Sequence, residues 1–467
     1  MRTAFFLSCL LLLLSDLQAQ LRLPAIFNDH MVIQQQSTIP IWGWGYSTQD
    51  ITINVSWDTT TVKTRTNNAA YWSTNISTPI AGGPHSIRIK AGGEEIIIKD
   101  VLTGEVWICS GQSNMEWSMY DANDGRELID QIDDPTIRLF QVGKSAASDL
   151  QVRGDGVWKM CNKESVINFS AVGYFFGKKI NQELNVPIGL INVSWGGTPA
   201  ETWVPSEIIR SNNDLAKSAE KQVDDKPWCP SKPGVVFNSM INPLIPFRIA
   251  GALWYQGESN TAAPSTYKVL MEKLILEWRK QFLTEFPFYY VQIAPFSGYG
   301  EFEKGTLIRE QQVKMLGINK TGMVVISDLV DDVKDIHPKY KKPVGERLAN
   351  LALAKTYEKS GIAYLNPLYK TMKVEKGKVR ISFHNVPTGL VVKGNKEPIE
   401  FIISGDDKKF FPAQAKIENS SVVVWSKEVK VPVSVRYAWK NNSIPNLFSK
   451  EGLPVSSFRT DDWPISQ

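Results

Sequence analysis

Histidine is scarce in this chain: 467 residues hold only four, His30, His85, His337 and His384. A mechanism that needs an imidazole base therefore has few places to find one, and a histidine-rich metal site is excluded. Cysteine is as sparse, with four residues and no Cys-x-x-Cys pair. Neither a His-Glu-x-x-His helix nor a calcium loop occurs, so no metal and no cofactor are expected. Charge of one sign does not accumulate either. The net charge of +4 has no clustered source beyond Lys339 to Lys342, which reads as a solvated face near a helix start, and it implies no nucleic-acid partner. Internal repeats and low-complexity linkers are missing as well.

Long apolar runs are also wanting. The one from Ala4 to Leu14 follows Arg2, precedes a small residue at Ala19, and is too short to span a bilayer. Residues 1–20 read as a secretory signal peptide cleaved near Ala19 or Gln20, which predicts a secreted or periplasmic protein without a membrane span. Cleavage removes Cys9 and leaves Cys109, Cys161 and Cys229. An oxidising compartment permits a Cys161–Cys229 disulfide, and three buried free thiols are the alternative.

What is present is ample material for a core. With 43% hydrophobic residues, the chain exceeds one typical domain and divides into three regions after the leader. Residues 21–100 show alternating runs such as Ile51 to Val55 and Ser86 to Ile89 with Gly-Gly turns, the pattern of a small antiparallel β module. Trp42, Trp44, Trp57 and Trp72 concentrate there and are expected in its core rather than as sugar platforms. Residues 101–363 alternate strands, near 105–109, 188–194, 250–256, 288–294 and 323–327, with helices from Val172 to Leu184, Tyr267 to Phe282, Gly305 to Leu316 and Val344 to Tyr357. This predicts a three-layer, doubly wound α/β domain. Residues 364–467 return to short strands, a second all-β region that either packs with the first or stands apart.

Within the α/β region, Gly111-Gln112-Ser113-Asn114 delivers a serine to an abrupt turn directly after the apolar run Val106 to Cys109. Gly111 lets the backbone bend, and Asn114 onward can open a helix whose first amides face a developing oxyanion. A serine needs a base, and His337 is the one histidine inside the α/β pattern, in a loop rich in carboxylates: Asp328, Asp331, Asp332 and Asp335. Two further strands end in loops suited to a substrate oxygen. Ser194-Trp195-Gly196-Gly197 offers close backbone approach, and Trp254-Tyr255-Gln256-Gly257-Glu258 offers an amide. Ligand sites of open α/β sheets gather at the carboxyl ends of the strands, which is where all four segments fall.

In order and spacing, the four blocks Gly111 to Asn114, Ser194 to Thr198, Trp254 to Asn260 and Asp335 to Pro338 resemble those of the sialate O-acetylesterases within the SGNH hydrolase superfamily. The resemblance covers roughly Gly104 to Tyr357 and implies a flavodoxin-like SGNH domain acting on O-acetylated carbohydrate, O-acetylated sialic acid first among substrates. It implies Ser113 as nucleophile and His337 as base, with oxyanion donors from the Ser113 N–H, the Gly196/Gly197 pair and the Gln256 amide. Gln112, Asn114, Glu201 and Glu258 join as site residues. One position departs from the superfamily: Lys334 stands where the orienting aspartate is usual, three residues before the histidine. Asp335, two before, is the expected orienter, with Asp331, Asp332 or a plain Ser–His dyad as alternatives.

Rival functions remain. Acetylated plant polysaccharide such as xylan is an alternative substrate, and Arg309 and Arg347 are candidates, by region alone, for a substrate carboxylate. Glu201 and Glu258 could serve as a glycosidase pair. A non-catalytic carbohydrate-binding envelope protein would leave the whole serine–histidine constellation without a use.

Overall fold

The computed structural model describes residues 20–222, 226–394 and 396–464, so the expected leader and its cleavage site lie outside the described residues. The centre is a seven-strand path built from β1 (Glu94–Gly111), β2 (Asp133–Gln141), β3 (Trp158–Asn162), β4 (Ile188–Ser194), β5 (Gly251–Tyr255), β6 (Phe288–Val291) and β7 (Thr321–Val324). Their spatial order is β7-β6-β5-β1-β4-β2-β3, parallel except for the β2–β3 pair. The chain first builds outward on one side of β1 and then crosses to the other, so the winding direction reverses around β1. Neither β2 nor β3 is evident from hydrophobic pattern, because β2 opens on the polar stretch Asp133 to Thr136 and only its second half is buried.

Side-chain alternation along β1 sorts the two faces. Val106 and Ile108 join one apolar cluster, Trp107 and Cys109 the other, as the two-residue period of a strand requires. On the first face lie helix α3 (Tyr267–Gln281), through Leu270, Leu274 and Trp278, and α4 (Lys304–Lys314), through Ile308. On the second lie α2 (Ala171–Leu184), through Phe175, Phe176 and Ile180, and α5 (Lys342–Lys355), through Leu348 and Leu351. Helices covering both faces explain why β4 and β5 are buried at every position.

The antiparallel regions differ in how they join this centre. β1 begins as a half-exposed hairpin strand paired with Gly82–Ala91, then pairs with Val32–Gln34 at Leu102 to Gly104, and only then enters the parallel sheet. The boundary expected at 100/101 therefore falls inside one continuous strand. Trp42 and Trp72 are buried in a cluster that runs on into the first face of the central sheet, and Trp44 and Trp57 pack partly buried against it. The C-terminal region forms four-stranded sheets around its own cluster, including Val379, Val424, Tyr437 and Phe458. It meets the centre through polar contacts: Arg459 pairs with Glu310 at 2.7 Å, and Gln292 Nε2 donates to Ser456 Oγ at 2.9 Å.

Two expectations fail here. Cys109, Cys161 and Cys229 are buried and Cys161 and Cys229 are not joined in a disulfide: Cys161 sits in the α2-side core, while Cys229 lies against Gly197. Within the lysine run, Lys341 is fully buried rather than solvated, because the chain turns into α5 directly against the Ser113–Asn114 turn.

Candidate active site

The parallel register aligns three strand ends: Gly111 of β1 stands opposite Ser194 of β4 and Tyr255 of β5. Gly111 turns the chain at φ +134, and a Cβ there would lie 2.2 Å from the Tyr255 carbonyl oxygen, so the turn admits only glycine. The next residue, Gln112, is fixed by its N–H to the Tyr255 oxygen at 3.0 Å, and a four-residue helix, α1 by position but too short to matter as a packing element, starts at Ser113. The serine is thereby held half-exposed on a rigid turn.

His337 arrives from the loop after β7. Its Nε2 lies 2.9 Å from Ser113 Oγ, and its ring stacks on Trp117 at 4.4 Å between centroids and 23° between planes. Burial, followed by the nearby Lys341 charge, pushes the imidazole down to about 4, so it is neutral and able to accept a proton at ordinary pH. Of the other histidines, His30 pairs with Asp100 at 2.6 Å and His85 packs edge-on against Trp57, both in the N-terminal region.

Asp335 sits beside the imidazole in an altered role. Its Oδ1 accepts the His337 backbone N–H at 2.9 Å and stands 3.6 Å from Nδ1, while Oδ2 pairs with Lys339 at 2.8 Å. At two residues' separation the carboxylate closes an Asx-type turn on the histidine's own amide, and its approach to the ring is an ion-pair distance rather than a hydrogen bond. Asp332 accepts the Lys334 N–H, and Arg347 holds Asp328 through two bonds at 2.7 and 2.6 Å, so neither carboxylate faces the ring.

A cleft of about 600 Å³ opens over the pair, lined by Ser113, Glu116, Trp117, Asn192, Lys144 and His337, with Ser118, Asp121, Gln141 and Asn168 around them. Gly196 borders it closely: a Cβ there would meet Ser113 Cβ at 3.2 Å. The Gly196 N–H donates to Glu116 Oε2 at 2.6 Å, so an anionic oxygen already rests on that amide, and Lys144 holds the other Glu116 oxygen. Gly197, at φ +82, packs on Cys229 and the ring of Trp228, which is 63% exposed.

The remaining candidates are brought near the serine but behind the cleft wall. Gln256 is buried with both ends of its amide engaged: Nε2 donates to Asn260 Oδ1 at 2.6 Å, and Oε1 accepts the Tyr267 hydroxyl at 2.9 Å. Nε2 also donates to the Thr198 carbonyl oxygen at 3.4 Å, so neither N–H is left for a substrate oxygen. Gln112 Oε1 accepts the Ser259 N–H at 3.2 Å, and Asn114 bridges Glu258 and the carbonyl of Ile336. Glu201 accepts from Asn260 at 2.8 Å, and both it and Glu258 are buried with carboxyls raised by desolvation. Neither carboxylate lines the cleft, which removes the geometric basis for a glycosidase pair. Arg309 is buried on the Asn441 and Lys440 carbonyls, and Arg347 is spent on Asp328. Neither guanidinium is free for a substrate carboxylate.

Sequence reasoning missed Glu116, Trp117, Lys144 and Asn192. Glu116 and Trp117 follow Ser113 within one turn and could have been found by helical spacing. Lys144 and Asn192 come from other segments, and only the fold unites them with the serine.

Residues 103–354 match the family model described as carbohydrate esterase, sialic acid-specific acetylesterase. Over nearly its whole length the chain is similar to the sialate O-acetylesterase of Homo sapiens, at 30% identity with 96% of this chain and 94% of that one covered. The corresponding protein of Rattus norvegicus is 27% identical, with 90% and 89% covered. Among solved structures, a carbohydrate acetylesterase from Xanthomonas citri superimposes with a TM-score of 0.87 at 34% identity, covering 95% of this chain and all of that one.

Proposed function

Because the chain belongs to the sialic acid-specific acetylesterase family of carbohydrate esterases, we propose that it removes O-acetyl groups from sugars by a serine mechanism in an SGNH-type, doubly wound domain. The observation that carries the reading is the 2.9 Å contact between His337 Nε2 and Ser113 Oγ at the floor of an open cleft. Neutral His337 takes the Ser113 proton as Oγ attacks the acetyl carbonyl. The negative charge that develops is met by the Ser113 N–H and by the Gly196 N–H, which in the resting enzyme holds Glu116 Oε2. Substrate has to displace that carboxylate. The imidazolium then protonates the departing sugar oxygen, which leaves as a hydroxyl, and water, activated by the same histidine, releases acetate from the acetyl-enzyme. The leader-like pattern of residues 1–20, a basic start followed by a short apolar run, supports a secreted or periplasmic location.

For the sugar, the family and its named relatives support O-acetylated sialic acid. A second reading, neutral acetylated saccharide of the plant-polysaccharide kind, is favoured by the cleft: its one lining cation among the described residues, Lys144, is paired with Glu116. Exposed Trp228, beside the Gly197 loop, offers a flat face to a pyranose ring in either case. Acetate release from acetylated sialic acids, acetylated xylan and a simple acetyl ester decides. Turnover of sialic esters alone selects the first reading, turnover of xylan alone the second, and no release from any of them refutes the esterase assignment.

A further inference from the structure

The Lys341 ammonium is buried with no carboxylate in salt-bridge contact among the described residues, although the backbone N–H of the same residue donates to Asp124 Oδ1 at 3.2 Å, an arrangement that packing alone would not favour. Its Nζ donates to Asn114 Oδ1 at 2.6 Å and lies over the rings of Tyr255 and Trp117, at 5.4 and 5.7 Å. Asn114, also buried, sends Nδ2 to Glu258 Oε1 at 2.7 Å and to the Ile336 carbonyl at 3.0 Å. The amide thus lies between a cation and an anion. Flipping it would turn its NH₂ toward an ammonium and its oxygen toward a carboxylate, so the two charges leave one orientation. In that orientation it ties the residue after Ser113 to the residue before His337.

We propose that Lys341, Asn114 and Glu258 are positioning residues of the esterase: the charge pair fixes the Asn114 amide, the amide clamps the His337 loop onto Ser113, and the Lys341 charge keeps the imidazole free to accept the serine proton. This rests on the reading of Ser113 and His337 as nucleophile and base. Around the imidazole, Lys341 and Lys339 act against protonation and Asp335 acts for it, with burial the largest influence. Around Lys341, burial brings the ammonium down to about 7, with Lys339 acting in the same direction against Glu258, Asp124 and Asp335. A structural crosslink alone would be served by any neutral hydrogen-bonded trio. The Lys341 ammonium lies 5.7 Å from the same Trp117 ring on which the imidazole stacks at 4.4 Å, and this placement of a cation near the base is what the chemistry uses.

The sign follows. Removing the Lys341 charge lets His337 keep its proton to higher pH, so the acid limb of kcat/KM moves up. With 4-nitrophenyl acetate as probe, Lys341→Met is expected to shift that limb upward by about half a unit or more, to lower kcat, and to leave KM within about twofold. An unmoved or downward-moved limb in the folded variant overturns the proposal. Should Lys341→Met fail to fold, wild-type enzyme answers: the rate of Ser113 labelling by an organophosphate, followed by mass spectrometry against pH, reports the free-enzyme ionisation of His337. A midpoint well below the ordinary histidine value of about 6.5 is expected, and a midpoint at or above it overturns the proposal. Labelling confined to Ser113 upholds the nucleophile even when the limb result fails, so the two ideas fall separately.

Discussion

The two sides of the turn at Ser113 are built on opposite principles. In front, Ser113, Glu116, Lys144 and Trp228 meet water, and their contacts are few: Glu116 sits on the Gly196 amide that the proposed mechanism gives to a substrate oxygen. Behind, Gln256, Asn260, Glu201, Asn114, Glu258 and Lys341 are buried in a polar layer where each side chain is hydrogen-bonded to at least one other side chain. Chemistry needs groups whose bonds can change during the reaction, and geometry needs groups whose bonds cannot. A residue type that looks catalytic in the sequence can belong to either side, and only burial and partners separate them.

The comparison breaks most visibly at the front. Ser113→Ala should reduce acetate release by more than a hundredfold while the melting temperature stays within a degree or two, because the change removes a nucleophile and almost no packing. Retention of more than roughly a hundredth of wild-type activity would refute the serine mechanism. At the back the expected result is reversed. Gln256→Ala leaves Asn260 Oδ1 and the Tyr267 hydroxyl short of a partner and should cost about 1–3 kcal/mol of stability, read as a lower urea midpoint. A hundredfold fall in kcat with unchanged stability would instead return Gln256 to the oxyanion site.

Asp335 stands between the two sides. Its 3.6 Å approach to the imidazole is shared with Lys339, so Asp335→Asn should lower kcat by roughly tenfold, far less than loss of the serine. Asp335 raises the His337 pKa, so its loss should also move the acid limb of the pH profile downward, opposite to Lys341→Met. A fall as steep as that of Ser113→Ala would mean that the Nδ1 contact closes in the working enzyme. Trp228→Ala should be milder still, raising KM a fewfold on acetylated oligosaccharide and leaving a simple acetyl ester untouched. Equal effects on both substrates would rule out a sugar platform. The smallest effect is expected from reductant: with Cys161 and Cys229 not joined, dithiothreitol should not move the melting temperature, and a drop of several degrees would reveal a disulfide.

Much of this arrangement was legible from local pattern. The apolar runs at 188–194 and 250–256, the helix with Leu270, Leu274 and Trp278, and the glycine turn before Ser113 all declare themselves through spacing that burial then explains. The pairing of Ser113 with His337 came by elimination, since four histidines leave little choice. What spacing could not convey was which side of the wall a polar residue occupies. Gln256 and Lys341 look solvent-facing in sequence because glutamines and lysines usually are, and their burial depends on partners 58 and 227 residues away, Thr198 and Asn114. β2 and β3 escaped for a related reason: the polar residues that open β2 pair with β3 at the sheet's edge, where alternation is weak.

One strand carries both the N-terminal module and the nucleophile, and this makes the module a gauge for the active site. Leu102 to Gly104 are locked to Val32–Gln34, and seven residues beyond Gly104 the same strand ends at Gly111, with Ser113 two further on. Slipping that lock by a single residue would carry the serine about 3.3 Å along the sheet and exchange the faces of Trp107 and Ile108. The short Val32–Gln34 strand of the N-terminal region thereby sets the alignment of the Ser113 turn, and an insertion or deletion near residue 100 should be felt at Ser113.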